Sequence, residues 1–293
     1  MSLLSLQQDS NTTFHIEALK DASKQDGQKS ASELIVYAST QSAEYQLAQE
    51  FIAKVYEVSH GAKLSYFMPL LFSGFNGPNT APTATSTLTQ NAFGTNASAL
   101  NLSVAIGIKP VTRSPVFLEQ YLNAPIDVAI AQFAGSPIAR ERIVEIGNLA
   151  SQSAGNARLM IAFLVFYLSA LSKPVGQSVA TTKADWAVCT GTNAVRHILS
   201  SMGIESHVVA KATIDAITSK EQQASWGSYY DNNPLVLAID IAKAKVVCSP
   251  HYQYTEVGDP ALRLPLSYPF LYQPIVNKPV ANKPTANKQF ACA

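Results

Sequence analysis

Cysteine is scarce in this chain of 293 residues, with only Cys189, Cys248 and Cys292 present. Three thiols make no disulfide framework, and Cys189 falls in an apolar segment, so the chain reads as reduced and without structural disulfides. Charge is sparse as well: 14% of residues are charged and the formal net charge is +1. So small an imbalance supplies no long-range field for nucleic acid or for an anionic membrane. No stretch reaches the roughly 18 to 20 apolar residues of a membrane span, and the nearest, Leu159 to Leu171, has the length of a core helix. The five histidines, His15, His60, His197, His207 and His251, are scattered with no pair at metal-ligand spacing, so no metal site is expected. The start of the chain shows neither a basic leader nor an apolar run of signal-peptide length, and the expected location is the cytoplasm.

With 47% hydrophobic residues the chain can bury a large core. Residues 1–32 are mostly polar and are expected to be loosely ordered. Glu33 to Tyr37 reads as a strand, and Ser42 to His60 as an amphipathic helix with Tyr45, Ala48, Phe51, Ile52, Val55 and Tyr56 on one stripe, ended by Gly61. Leu64 to Phe75 and Ala99 to Val111 read as a strand hairpin around a long Thr/Ala/Asn/Pro-rich insertion, residues 73–100. Ser114 to Ile130 holds two short elements split by Pro125. Residues 263–293 end in an Asn-Lys-Pro repeat that buries too little to fold and reads as an extended tail.

The most informative stretch runs from Ile143 to Leu171. It opens as a buried strand, IVEIGNLAS, in which a single carboxylate, Glu145, interrupts β-branched and apolar residues. It turns through Gln152, Ser153 and Gly155, then continues as a helix apolar on nearly every face. A strand, a small-residue turn and a helix N-terminus together make an anion site, because the first N–H groups of a helix lack intrahelical partners. Downstream, Asp185 to Thr192 reads as a strand, Asn193 to Gly203 as a helix with a glycine stop, Ser206 to Ala212 as a strand and Leu235 to Ala242 as the last strand. Between the last two, Trp226-Gly-Ser-Tyr229-Tyr230 brings an indole and two phenols into a loop, either to wall a pocket or to pack over the sheet edge.

The turn Gln152-x-x-Gly155-x-Ala157 resembles the phosphate loop of the GNAT acyltransferase superfamily, and the order of the elements is that of a GNAT domain. The resemblance implies an α/β fold over residues 33–262: a mixed central sheet with flanking helices, a long insertion loop and disordered termini. It further implies that Leu149, Gln152, Gly155, Ala157 and Asn193 hold the donor, acyl-CoA or the phosphopantetheine arm of an acyl carrier protein. No cofactor would be bound permanently. Leu199 stands where many GNAT enzymes carry the tyrosine that protonates the departing thiolate.

A narrower resemblance covers FLEQYL at Phe117 to Leu122, IVEIGNLAS, the strand and helix around Trp186 and Gly203, and WGSYYDNNPLV at Trp226 to Val236. These blocks are similar to the thermostable haemolysin family. The Glu145 block also resembles the acyl-homoserine-lactone synthases, whose matching strand reads Glu-x-Ser-Arg; here Glu145 is kept and Gly147 and Asn148 replace the Ser-Arg pair.

Amine acylation by a thioester needs a base to take the amine proton and donors to hold the oxyanion. Glu145, buried on a strand, suits the first role, the alternative being a buried ion pair with Arg140 or Arg142. Strand N–H groups near Asn148 and Leu149 suit the second if the strand bulges there. Glu119, Trp226, Tyr229 and Tyr230 are the expected substrate pocket. The functional expectation is an N-acyltransferase acting on a small amine such as an amino acid. A membrane-acting haemolysin and an inactive GNAT-fold binding module are the alternatives.

Overall fold

The computed structural model describes residues 13–18, 33–40, 43–76, 102–170 and 184–257. Its centre is a nine-stranded sheet in the order β7-β8-β6-β5-β4-β3-β2-β1-β9. In chain order the strands are β1 (Thr13–Ala18), β2 (Glu33–Ser39), β3 (Leu70–Asn76), β4 (Leu102–Pro110) and β5 (Ile143–Ser151), then β6 (Trp186–Gly191), β7 (His207–Lys211), β8 (Leu235–Asp240) and β9 (Tyr252–Val257). Neighbours are antiparallel except β5 and β6, which run parallel. That one parallel pair requires a crossover, and the helix α3 (Ala154–Ala170) supplies it.

Helix α3 is buried all round its middle, from Leu159 to Val165, because one side lies on the sheet while α4 (Asn193–Ser201) and α5 (Ile241–Cys248) pack against it. An apolar helix without a polar face is stable only in such a place. Against it, Phe14, Phe72, Phe163 and Tyr167 form a ring cluster with centroid separations of 4.9 to 5.8 Å. On the opposite face of the sheet α1 (Ala43–His60) buries Ala48, Ile52 and Tyr56 against Leu71, Ala105 and Ala150. A third cluster, Val116, Leu118, Ile126, Ile130, Ile143 and Val188, lies under the short 3-10 turn Phe117–Tyr121 and α2 (Ile126–Ala134).

Two strands stand outside the expected boundaries. Thr13–Ala18 belongs to the sheet, between β2 and β9, although residues 1–32 read as loosely ordered in sequence. Phe14 and Ile16 are fully buried while His15 and Glu17 face outward, a period-two pattern in which only two apolar residues anchor the strand. Leu235–Asp240 is not the last strand, since β9 follows and pairs only with β1. Residues 73–76 of the expected insertion complete β3. The rest of the insertion, residues 77–100, the tail at 263–293 and Cys292 lie outside the described residues.

The Trp226–Asn233 segment is pinned to the end of α1. Ser228 N–H donates to His60 O at 2.8 Å, and Lys63 N–H donates to Ser225 O at 2.7 Å. Gly227 sits at φ +53°, and a Cβ there would collide with the His60 carbonyl oxygen. This closeness requires glycine twice over, for the left-handed backbone and for the contact. Gly227→Ala is expected to cost about 3 kcal/mol and to lower the melting temperature by roughly 6 to 12 °C, measured by thermal denaturation. An unchanged melting temperature would show that the contact relaxes at no cost.

Candidate functional site

The site grows from a mismatch between β5 and its two neighbours. Toward β4, Ala105 pairs with Ala150 and Gly107 with Gly147, so Ile106 alone faces Asn148 and Leu149. This is a β-bulge, the feature that frees strand N–H groups from the ladder. Asn148 takes the strain, with φ +57°, one of two non-glycine residues at positive φ among those described. Its side chain is fully buried, and its Oδ1 accepts a 2.7 Å hydrogen bond from Met68 N–H. Asparagine is among the few residues that tolerate this conformation, and the Met68 bond secures it.

Toward β6, pairing runs only from Ile143–Trp186 to Ile146–Cys189. Beyond these pairs the two strands part, leaving a fork whose arms are Gly147–Ser151 and Thr190–Gly191. On the α3 side the fork opens over a wholly apolar cavity of about 50 Å³, lined among others by Ile146, Leu149, Leu164, Cys189 and Leu199. Burial pushes the Cys189 thiol up to about 12, and the nearby Glu145 charge adds to this, so the thiol is inert.

Glu145 lies one residue below the fork, on the opposite face from the cavity, and is 1% exposed. Its carboxyl is raised from 4.5 to about 7, first by burial, with the Glu119 charge adding to it. Lys109, its cross-strand partner on β4, pulls the other way, as do the N–H groups of Leu118 and Phe117. The Leu118 N–H lies 3.3 Å from Oε1. Neither arginine of the alternative ion pair reaches it. Arg140 bonds Glu119 Oε1 at 2.7 Å, Glu119 Oε2 at 3.1 Å and Asp127 at 2.6 Å, and Arg142 pairs with Asp185. Among the described residues Glu145 is thus a buried carboxyl with no ion pair in contact, poised to gain or lose a proton near neutrality.

The other expected residues divide. Glu119 is occupied: besides Arg140 it accepts from Ile126 N–H and Val116 N–H, both at 2.8 Å, so it braces the 3-10 turn, and it borders an open surface cleft with Lys109, Phe117 and Arg140. Trp226 and Tyr229 are 2% and 1% exposed and belong to the core cluster under α1; the sheet-packing reading describes them better than the pocket wall. Tyr229 OH still reaches the fork, donating to Thr190 O at 3.3 Å. Tyr230 is half-buried and its hydroxyl meets Tyr121 OH at 2.6 Å. Gln152 is tied to β4 through Leu102 O and Ser103 O. Ala157 N–H is already bonded to Ser153 O and its side chain is buried, which removes it from the phosphate set. Asn193 opens α4 and bonds Arg196. Gly155 is open: a Cβ built there would meet only Ser153 Oγ at 3.8 Å.

Local sequence showed neither the part of Leu118 in holding Glu145 nor the place of Thr190 on the fork, since both arise from pairing between distant segments. It also missed a cluster of His15, Glu17 and Glu33 on β1 and β2, whose ligand-type atoms lie within 4.8 Å of one another, far along the sheet from the fork.

The strand order, the single parallel pair with its crossover helix and the fork define a GNAT-like fold. Within that class, the chain belongs to the thermostable haemolysin family, whose model matches residues 84–245. Similar solved structures include TofI in an apo form and TofI in a ternary complex with an inhibitor and MTA. Each is 13% identical and covers 78% of this chain and 99% of its own, with TM-scores of 0.42 and 0.41. Another is the AHL synthase LasI, 12% identical, covering 75% of this chain and 96% of its own, with a TM-score of 0.43. No curated protein matches the chain.

The Glu145 carboxyl carries a signed pH dependence. Between 4.5 and about 7 the unfolded chain loses this proton while the folded protein keeps it, so stability falls as pH rises through that window and then levels off. Glu145→Gln, which stays neutral, is expected to gain on the order of 3 kcal/mol relative to wild type from pH 4 to pH 8. Chemical denaturation of both proteins across that range checks it; a constant difference would mean that Glu145 titrates normally.

Proposed function

We propose that the protein is an N-acyltransferase that moves an acyl group from a thioester, acyl-CoA or acyl carrier protein, to a small amine such as an amino acid. The observation that carries this reading is Glu145: a carboxyl raised to about 7, without an ion-pair partner, beside the bulge and fork of β5. A base with this pKa is substantially ionised at neutral pH and yet holds a proton once it has taken one.

In this scheme the donor lies in the fork. Its acyl chain points toward the small apolar cavity beside Leu149 and Cys189, which must widen to take a long chain, and its phosphates sit at the start of α3, where the small side of Gly155 lets them approach the first-turn N–H groups. Glu145, directly or through a water, takes a proton from the ammonium or the attacking amine. The amine nitrogen adds to the thioester carbonyl carbon, and the carbonyl oxygen becomes an oxyanion facing the strand N–H groups freed by the bulge. The C–S bond then breaks and the new C–N bond remains. With Leu199 buried in the place of the usual tyrosine, the thiolate takes its proton from water.

The family's name favours a second reading, direct membrane lysis. Among the described residues no helix is long and apolar enough to cross a membrane. A long-chain acyl amine is itself a detergent, which would join the two readings.

Mass spectrometry of lipid extracts from cells expressing wild type or Glu145→Gln, at matched soluble protein levels, tests the proposal. A new acylated amine is expected with wild type, and its yield should fall by about 10²-fold or more in the variant. Indistinguishable extracts, together with liposome leakage caused by the pure protein, would replace the enzyme with a lytic protein.

A further inference from the structure

Buried polar side chains in folded proteins nearly always have hydrogen-bond partners, and an exception calls for a cause. Two exceptions stand on the arms of the fork. Asn148 Nδ2 on the β5 arm and Thr190 Oγ1 on the β6 arm are both buried and, among the described residues, both without a partner, their residues being 0% and 1% exposed. Thr190 is the first residue of β6 beyond the last β5–β6 pair, and Asn148 the second of β5. Thr190 alternates with Trp186 and Val188, which puts its side chain on the face that carries Ile143 and Glu145.

Neither group is loose. The Met68 N–H fixes Asn148 Oδ1, so the amide cannot flip, and the atom left without a partner is the Nδ2 donor. Thr190 is held through its backbone, by Tyr229 OH on its carbonyl and by pairing with Val236 of β8. Met68 and Tyr229 belong to the same core cluster, so both arms are braced from one side. The result is an amide donor and a hydroxyl, one on each arm of the fork, each held in place and each buried without a partner among the described residues. A backbone amide is shared with the strand and cannot be tuned by substitution, whereas these two side chains can.

We infer that Asn148 Nδ2 and Thr190 Oγ1 form a two-point receptor for the carbonyl oxygen of the thioester held in the fork. The inference rests on the acyl-transfer reading and deepens it, by assigning Thr190 a role and adding side-chain donors to the freed strand N–H groups. In the reaction both groups donate hydrogen bonds to the oxygen that gains the electron pair of the carbonyl π bond; neither gives up its proton. Asn148 and Thr190 are the groups that touch substrate; Met68 positions the first and Tyr229 the second.

The test uses the full chain, an octanoyl thioester and the S-octyl thioether that lacks the carbonyl, each on coenzyme A and on a phosphopantetheinylated carrier protein. Wild type is expected to prefer the thioester. Thr190→Val should reduce that preference roughly tenfold while leaving thioether binding unchanged, and Thr190→Ser should retain it. In the free protein Thr190→Val should raise the melting temperature, because it removes an unsatisfied buried hydroxyl without changing shape. A lower melting temperature would reveal a partner for the hydroxyl in the free protein and overturn the inference, as would equal wild-type affinity for thioester and thioether. Failure of wild type to bind either donor would instead overturn the acyl-transfer reading, and this inference with it.

Discussion

The hydrogen bond from Met68 N–H to Asn148 Oδ1 holds the feature on which the rest of the site depends. Without it a non-glycine residue at φ +57° in the middle of a central strand would relax toward ordinary β geometry. Relaxation would restore the register with β4 and erase the bulge. The bulge in turn bends β5 away from β6, so the fork, the apolar cavity beneath it and the freed N–H groups all follow from one strained residue. Strain of this kind persists only where surrounding structure over-determines it, and here the loop before β3 provides the constraint from 80 positions away in sequence.

A second constraint is electrostatic. Six charged groups lie near the start of β5, and the fold sorts them so that one carboxyl, Glu145, is left over. Arg140 is taken by Glu119 and Asp127, and Arg142 by Asp185. The Arg140 cluster also holds the turn Phe117–Tyr121 in place, and that turn supplies the N–H groups that partly support the Glu145 charge. Glu119 therefore acts on Glu145 twice, by its own charge and by the turn it caps. Its place in the structure is that of a brace, and the resemblance of its sequence block to the family blocks reflects this as well as any contact with substrate.

The turn sequence at Gln152 to Ala157 has a similar division of labour. Gln152 anchors the turn to β4 and Ala157 packs into the core, so of the three residues of that pattern Gly155 is the one that stays open. The WGSYY block likewise joins two roles, since Gly227 allows the close contact with α1 that buries Trp226 and Tyr229, and Tyr229 then steadies the β6 arm of the fork.

Much of this was legible in the residues. The alternation and apolar runs of β2 to β8, the stripe of α1 and the all-round apolarity of α3 mark their elements because burial of a face or of a whole surface leaves a periodic trace. A lone carboxylate in IVEIGNLAS marks Glu145, and the glycine and asparagine after it mark a place where a strand can bulge. Strand β1 was hidden because Phe14 and Ile16 are a short signal in a polar stretch, and β9 because nothing local says which edge it joins. The sequence by itself determined the local elements, the buried acid and the small-residue turn. Only the tertiary structure decided which charges pair off, that Asn148 is locked by Met68, and that Asn148 and Thr190 stand unsatisfied on opposite arms of one fork. Those outcomes depend on contacts between segments 13 to 80 residues apart, and local propensity carries no information about them.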